Sequence, residues 1–411
     1  MTHRSRNCRA AISAPARPRP GGLAAILLLV FLAGFLAPVA QGEYQIEVIK
    51  QDVIAIRLPP LGGSEGAEAT RILTQDLEQS GLFRIVASGG DHGIEGSASA
   101  SGCQCKVFKS DGTLELTASG SGDLRRAVHR VADEIVAKLT GRKGIAQTRI
   151  AFISDKSGKK GLYVMDYDGA KVQGFGTSYS MVVAPAFSRQ GDKIAFTAYR
   201  PVYPDVLVMP YPGGKAQAVS TYPGLNSGAS FSPDGSRLAL TLSKDGNPEI
   251  YTLSAGGGGL KRLTTTRGGE SSPSWSPNGK RIAYASDEGG RPQIHIIPSS
   301  GGRGARLTSS PAYNTEPDWS AESGLIAYSS MRGGGFVIST INPEEEKHEG
   351  DVVYADGSCE DPSWAPDGRH LVFSRTVDGH SDLYMLDTYR KEAVQLTRDF
   401  GNCTQPAWSG R

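Results

Sequence analysis

The stretch PSWSPNGKRIAYAS, residues 273–286, contains the two strands and the turn that decide the fold. The aromatic residue Trp275 ends a short segment, and the tight turn Ser276-Pro-Asn-Gly279 leads into an apolar segment around Ile282. In such a turn proline presets φ, asparagine caps the turn and glycine supplies a positive φ. The stretch therefore predicts two antiparallel strands joined by a tight turn.

The aromatic residue of this unit recurs at a nearly constant interval. Successive members are separated by 44, 44, 44, 45 and 44 residues, and they are Phe187, Phe231, Trp275, Trp319, Trp364 and Trp408. Units continue into a third apolar strand, as in Gln293–Ile297, and into a short edge strand, as in Ala305–Thr308. Four strands in about 44 residues are typical of a β-propeller blade. A solenoid would share the period, but it needs capping repeats with a polar outer face, and none is visible in the sequence.

The two ends of the repeated segment predict how the ring closes. Trp408 begins a sixth unit, whereas Ile150–Asp155 reads like a second strand without a first, and Leu162–Met165 follows as a third. Joining these pieces completes a sixth blade and leaves no sheet edge open. We therefore predict an all-β six-bladed propeller over residues 145–411, whose last blade is closed by strands from both ends of the propeller segment.

Residues 43–141 predict a small α+β domain ahead of the propeller. Apolar stripes predict helices over residues 67–80 and 123–139, and a strand is expected at residues 82–86. The polar stretch after residue 88 predicts only two short strands, around Val107 and Leu114–Leu116.

Residues 1–42 have the features of a cleavable secretory signal. Basic residues precede the apolar run Leu23–Leu32, and small residues follow up to Gly42. An uncleaved membrane anchor is the alternative. Removing the five arginines of this segment changes the formal charge from +2 to −3, which argues against nucleic acid as a partner.

The cysteines suit an oxidising compartment. Cys359 and Cys403 each lie five residues before a repeat tryptophan, so they occupy one structural position in neighbouring blades. We predict a disulfide between them if their Cα atoms approach within about 7 Å. Cys103 and Cys105 are too close in sequence for an easy bridge, and two thiolates are only half of a zinc site.

The sequence predicts neither catalysis nor a cofactor. Residues 62–66 fit the pattern G-x-S-x-G, but Pro59-Pro60 break the preceding strand, and Ser64 is expected in a capping loop. The histidines do not recur at one repeat position; His129 is expected on a solvated helix face and His295 in a packed strand. No P-loop or dinucleotide fingerprint is present.

Polar, partly acidic segments precede the first strands of four blades and are expected at one face, around the channel mouth. They are Gly269–Ser272, Tyr313–Glu316, Cys359–Asp361 and Cys403–Gln405. Both solvated turns and a protein-docking face remain open as interpretations.

Several of these segments carry a resemblance to a known family. The carrying residues are Asp76–Phe83, His129–Ile135, Lys138–Gly141 and Thr148–Phe152, together with the blade motif at Pro273–Gly279. The chain resembles the Tol-Pal system protein TolB family over nearly the whole mature chain. The junction from His129 to Phe152 is more specific than the blade motif, which other propellers share.

The resemblance implies a non-enzymatic periplasmic adaptor. Such a protein links the inner-membrane protein TolA to the peptidoglycan-associated lipoprotein Pal, and it supports outer-membrane integrity and invagination during cell division. It implies a monomer that does not insert into the membrane and needs no cofactor.

The resemblance also implies two binding regions. TolA is expected to contact the mature N-terminal arm, which comprises Glu43, Tyr44, Gln45, Ile46, Glu47 and Val48. Pal is expected to dock at the channel mouth, on Glu270, Tyr313, Asn314, Thr315, Glu316, Glu360 and Asp361.

The sequence departs from the family in two places. Ser88–Gly122 is short and polar where the family has fuller strands, which predicts a reduced or poorly ordered part of the sheet. The unit of Phe336 replaces the usual Arg-Leu-Thr edge with Glu344–Glu349 and Asp351–Tyr354, which could alter partner contacts on its rim. The alternatives to the adaptor are a periplasmic propeller enzyme and a carbohydrate-binding propeller. The latter would need exposed aromatic residues in the channel, and Tyr313 is one isolated candidate.

Overall fold

The structure is a computed structural model that describes residues 53–176, 179–309, 312–346 and 348–410. The predicted signal over residues 1–42 and the predicted arm from Glu43 to Val48 lie outside the described residues. Within the described ranges no helix is long and apolar enough to cross a membrane.

The first part of the described chain is a five-stranded sheet with two helices. Its elements are β1 (Ile54–Arg57), α1 (Gly66–Gln79), β2 (Phe83–Val86), β3 (His92–Ser99), β4 (Gly102–Lys109), β5 (Leu114–Ser121) and α2 (Leu124–Thr140). The strand order is β2-β1-β3-β4-β5, with β1 parallel to both of its neighbours. Asp123 caps α2 by accepting a hydrogen bond from the backbone N–H of Arg126, and Gly141 ends it with a φ of 69°.

The expectation of a reduced sheet in Ser88–Gly122 is wrong. Three strands of eight residues each, β3, β4 and β5, pair antiparallel across this region. Small residues replace larger apolar ones here because the sheet and helix α2 approach each other closely. A Cβ on Gly120 would lie 2.1 Å from the carbonyl oxygen of Ala127 in α2, so no larger side chain fits there.

The remaining strands form six four-stranded sheets around a central channel. In chain order they are β6 (Arg149–Ser154), β7 (Gly161–Asp166), β8 (Gln173–Phe175), β9 (Met181–Phe187), β10 (Lys193–Tyr199), β11 (Pro204–Pro210), β12 (Gln217–Ser220), β13 (Asn226–Phe231), β14 (Arg237–Leu242), β15 (Glu249–Ser254), β16 (Lys261–Arg262), β17 (Glu270–Trp275), β18 (Arg281–Ser286), β19 (Gln293–Pro298), β20 (Ala305–Arg306), β21 (Asn314–Trp319), β22 (Ile326–Arg332), β23 (Gly335–Ile341), β24 (Asp351–Tyr354), β25 (Ser358–Trp364), β26 (His370–Val377), β27 (His380–Asp387), β28 (Glu392–Gln395) and β29 (Cys403–Trp408). Blades 1 to 5 are β9–β12, β13–β16, β17–β20, β21–β24 and β25–β28, and blade 6 is β29 with β6–β8.

The sixth blade confirms the predicted closure of the ring. β29 pairs antiparallel with β6, so that Trp408 lies opposite Ile150 and Cys403 lies opposite Ser154. The indole Nε1 of Trp408 donates to the Thr148 hydroxyl at 2.8 Å, and the backbone N–H of Arg149 donates to Ser409 Oγ at 2.8 Å. Residues about 250 positions apart in sequence therefore form one sheet.

Each repeat aromatic residue packs against the preceding blade. Trp275, for example, shares a buried cluster with Ala239 and Ile250 of blade 2, and Trp408 shares one with Val372 and Leu383 of blade 5. Since these contacts join neighbouring sheets, the aromatic repeat contributes apolar contact between each pair of blades.

The predicted disulfide between Cys359 and Cys403 is not formed, and all four described cysteines are free thiols. Cys359 lies in the apolar cluster between blades 4 and 5, whereas Cys403 lies in the cluster between blades 5 and 6. The sheet of blade 5 therefore separates the two sulfur atoms. Equivalent positions in adjacent blades face successive interfaces, so the repeat keeps the two cysteines apart.

The α+β part packs on the face of the propeller that carries the tight turns. One apolar cluster runs from its helices into blades 5 and 6. The side chains of Arg369 and Arg390 both donate to the carbonyl oxygen of Gly81, at 3.1 and 2.9 Å. The division of the chain at residues 141 and 145 stays a prediction.

Deleting residues 405–411 tests the closure. Without most of β29 the ring opens, and the loss of Trp408 alone removes a contact of the kind that costs about 3–5 kcal/mol. We expect a sharply lower melting temperature in thermal unfolding followed by circular dichroism. Deleting only residues 410 and 411 keeps Trp408 and Ser409 and serves as the control. Equal melting temperatures for the two deletions would contradict the closure.

Candidate functional site

Six equivalent residues, here called the channel ring, lie three positions before the repeat aromatic residues. They are Ala184, Gly228, Ser272, Glu316, Asp361 and Gln405. Each has a positive φ, between 50° and 63°, and the pairing of each innermost strand shifts register at this point. Such bulges re-aim the strand. All six residues line a central cavity of about 620 Å³.

Side chains of the channel ring link neighbouring blades. Glu316 Oε2 accepts from the backbone N–H of Asp361 at 3.0 Å, and the Asp361 carboxylate accepts from the backbone N–H of Gln405. Gln405 Oε1 in turn accepts from the backbone N–H of Ala184 at 2.9 Å. Side-chain-to-backbone hydrogen bonds therefore join half of the ring, from blade 4 through blades 5 and 6 to blade 1.

The joined half of the ring is acidic. Burial raises the pKa of Asp361 well above its usual range, and the nearby carboxylates of Glu316 and Glu360 add to this rise. Burial also raises the pKa of Glu360, again with a contribution from Glu316. The other half offers only small residues, Ala184, Gly228 and Ser272. The channel mouth thus has an acidic side on blades 4 and 5 and a wide, small-residue side on blades 1 to 3.

The predicted Pal-binding residues divide into two groups. Tyr313 is 39% exposed, and Thr315, Glu316, Glu360 and Asp361 are partly exposed. Glu270 and Asn314 have exposures of 0% and 1%, so in this structure their side chains offer no surface to a partner. Apart from Tyr313, these residues belong to the innermost strands and not to loops ahead of them.

Glu270 forms a buried carboxyl pair with Glu249 between blades 2 and 3. Glu249 Oε1 accepts from Arg262 at 2.8 Å, and Glu270 Oε1 accepts from the hydroxyls of Thr266 and Ser286 at 2.6 and 2.8 Å. Burial raises the pKa of Glu270 to about 7, and the hydrogen bond to Glu249 contributes. The pair therefore retains a proton under mildly acidic conditions.

The next pair of blades has a neutral version of this contact. The amide of Asn314 donates to Gln293 Oε1 at 2.9 Å, and both residues lie 44 positions after the two glutamates. The position thus requires a hydrogen bond and accepts either acids or amides.

The expected solvent-exposed position of His129 is wrong. Its side chain is buried, with Nδ1 at 2.7 Å from Asp76 Oδ2, and the Tyr167 hydroxyl donates to Asp76 Oδ1 at 2.7 Å. Helical periodicity could not reveal this contact, because Asp76 lies on the other helix. His295 lies half-buried in β19, where burial lowers its pKa to about 4, in agreement with a packed position.

The described residues contain no group of three or more His, Cys, Asp or Glu residues that could hold a metal ion. The repeat tryptophans are 5–7% exposed, so they present little stacking surface to the channel.

Residues 136–411 match the protein family described as "TolB beta propeller domain". A curated relative, the Tol-Pal system protein TolB of Cereibacter sphaeroides (strain ATCC 17029 / ATH 2.4.9), is 34% identical over 231 residues, which are 46% of this chain and 51% of the relative. The TolB of Jannaschia sp. (strain CCS1) is 46% identical over 86 residues, which are 20% of this chain and 19% of the relative. The chain thus spans about half the length, or less, of these curated relatives.

A solved structure supports the fold. The crystal structure of TolB from Acinetobacter baumannii superposes with a TM-score of 0.76 at 24% sequence identity, over 87% of this chain and 96% of that chain.

Replacing Glu270 with glutamine tests the carboxyl pair. The folded state raises the pKa of Glu270 from 4.5 to about 7, so the folded protein binds more protons than the unfolded chain within this window. The free energy of unfolding therefore falls as pH rises through the window and levels off above it. The Glu270→Gln variant keeps a hydrogen-bond donor toward Glu249 at every pH.

We expect Glu270→Gln to match the parent near pH 4.5 and to exceed it by about 3 kcal/mol above pH 7, measured by urea unfolding across that range. The exposed Glu288, changed to glutamine, is the control and should give no such pH-dependent gain. A constant difference between Glu270→Gln and the parent at all pH values would disprove the shared proton.

Proposed function

The chain belongs to the TolB beta propeller family, and from this membership we propose that it is a non-enzymatic adaptor of the Tol-Pal system. In this role it links the peptidoglycan-associated lipoprotein Pal to the inner-membrane protein TolA in the periplasm, after removal of the signal over residues 1–42. It thereby supports outer-membrane integrity and invagination during cell division. It acts as a monomer, without a cofactor.

The acidic half of the channel ring is the observation that supports this proposal. Glu316 and Asp361 converge from neighbouring blades onto one side of a central cavity of about 620 Å³. Acidic side chains fixed by hydrogen bonds to backbone N–H groups are preorganised, so a partner meets oxygen atoms that need little rearrangement. We propose that Pal presents basic or hydrogen-bond-donating groups to this side of the mouth.

Tyr313, Thr315 and Glu360 complete the proposed Pal site around this acidic side. Tyr313 is the exposed aromatic residue among them, and the guanidinium of Arg291 lies 5.7 Å from its ring centroid. Tyrosine side chains combine a large contact area with a hydroxyl group, and they are frequent hot spots in interfaces. Glu270 supports this site from within the blade and does not touch the partner.

Neutralising the acidic side tests the Pal site. The double variant Glu316→Gln, Asp361→Asn keeps hydrogen-bond acceptors for the neighbouring backbone N–H groups but removes both ionisable groups. We expect its affinity for purified Pal to fall about tenfold or more, and the salt dependence of association to weaken. Glu346→Gln, an exposed acidic residue in a turn away from the channel, is the control and should bind as the parent does. Equal affinities for the double variant and the parent would refute the assignment of the site.

Removing residues 43–48 tests the TolA arm. In pull-downs from envelope extract, the truncated mature protein should still recover Pal but should lose TolA, because the alternating Glu43–Val48 segment suits addition to a partner's sheet. Recovery of neither partner by the intact mature protein would refute the adaptor function itself.

A further inference from the structure

A second cavity, here called the junction cavity, lies between the start of α2 and blades 6 and 1. Its volume is about 310 Å³, and it adjoins the turn after β7. Its charged or titratable lining residues are Asp123, Arg125, Arg126, His129, Arg149, Asp166, Lys171 and Tyr211.

A buried histidine nitrogen in this cavity has no partner. The Asp76 carboxylate already accepts from the Tyr167 hydroxyl, so it serves as the acceptor for His129 Nδ1–H as well. In this tautomer Nε2 of the neutral imidazole is an acceptor, and no hydrogen-bond partner for it exists among the described residues. The His129 side chain is only 2% exposed, and the nearest charged oxygen, Asp166 Oδ2, is 3.9 Å away and cannot donate. A ligand that carries an O–H group would satisfy this nitrogen.

The cavity also carries an excess of positive charge. Four cationic side chains line the cavity together with two carboxylates, those of Asp123 and Asp166, and a third carboxylate, Asp168, pairs with Arg125 from outside the lining. Asp166 is already neutralised, since Arg125 Nε lies 2.7 Å and Arg149 Nε lies 3.2 Å from its oxygens. Arg126 is exposed, with its Nε 3.7 Å from Asp123, and Lys171 is exposed as well. The start of α2 adds the partial positive charge of a helix N-terminus.

We propose that the junction cavity binds a phosphoryl group. Hydrogen phosphate has two negative charges for the cations and one O–H group that can donate to His129 Nε2. Sulfate has the same shape and charge near neutral pH but no proton to donate. A volume of about 310 Å³ holds a phosphate together with a small organic substituent, so free phosphate and a phosphate monoester are the two sources of this chemistry.

Calorimetric titration of the mature protein tests this site. Inorganic phosphate, glycerol phosphate and sulfate are titrated near neutral pH, with sodium chloride holding the ionic strength constant. We expect saturable binding of a phosphate ligand, about tenfold or more tighter than that of sulfate. Tighter binding of glycerol phosphate than of phosphate indicates a monoester as the ligand, and the reverse order indicates free phosphate.

Paired charge variants locate the binding site. Arg126→Ala, Lys171→Ala removes the two exposed cations of the cavity and should weaken phosphate binding about tenfold. Arg130→Ala, Lys138→Ala removes two cations of α2 that do not line the cavity and should leave the binding unchanged. Phosphate, but not sulfate, should also shift the ¹⁵N resonance of His129 Nε2. Absence of saturable phosphate binding, equal sulfate binding, or equal losses in the two double variants would overturn the proposal.

Discussion

The left-handed bulge three residues before each repeat aromatic residue is the constraint on which the propeller depends. A regular strand would continue its two-residue alternation to its end, but the register shift at the bulge changes which residues face the neighbouring blade. The aromatic residue then packs against the preceding blade, while the bulged residue lines the channel. Six repetitions of this geometry, the last made by β29 against β6, close the ring without an exposed inner edge.

The same bulge gives the channel its chemistry. The six residues at this position share one backbone conformation and all line the channel. Their side chains differ from blade to blade while the backbone geometry is the same. Blades 4, 5 and 6 carry Glu316, Asp361 and Gln405 there, and each of these side chains accepts a backbone N–H from the following blade. Blades 1, 2 and 3 carry alanine, glycine and serine. The asymmetry of the mouth therefore results from side-chain substitution on a repeated backbone.

The sequence predicted those features that depend on local patterns. The spacing of the aromatic residues and the turns such as Ser276–Gly279 led to six blades and to the closure through Trp408, because both patterns are repeated. It did not predict the positive φ of Glu316 or Asp361, since a bulge is set by pairing with a second strand. It underestimated β3 to β5 because glycines such as Gly120 reflect close packing as well as turns. It misplaced His129 because Asp76, its partner, is 53 residues away.

The pairs Glu249–Glu270 and Gln293–Asn314 occupy equivalent positions in successive blades. Both form a hydrogen bond between blades, but only the glutamate pair can titrate. Both pairs join the third strand of one blade to the first strand of the next, and both are buried, so the hydrogen bond is what the packing requires. An amide pair meets this requirement at any pH. A carboxyl pair meets it only while one proton is retained, which makes the contact between blades 2 and 3 sensitive to pH in a range where the contact between blades 3 and 4 is not. β17 carries both Glu270 and Ser272, so the pH-sensitive contact lies on the small-residue side of the channel mouth. The hydrogen-bonded acidic side belongs to other blades.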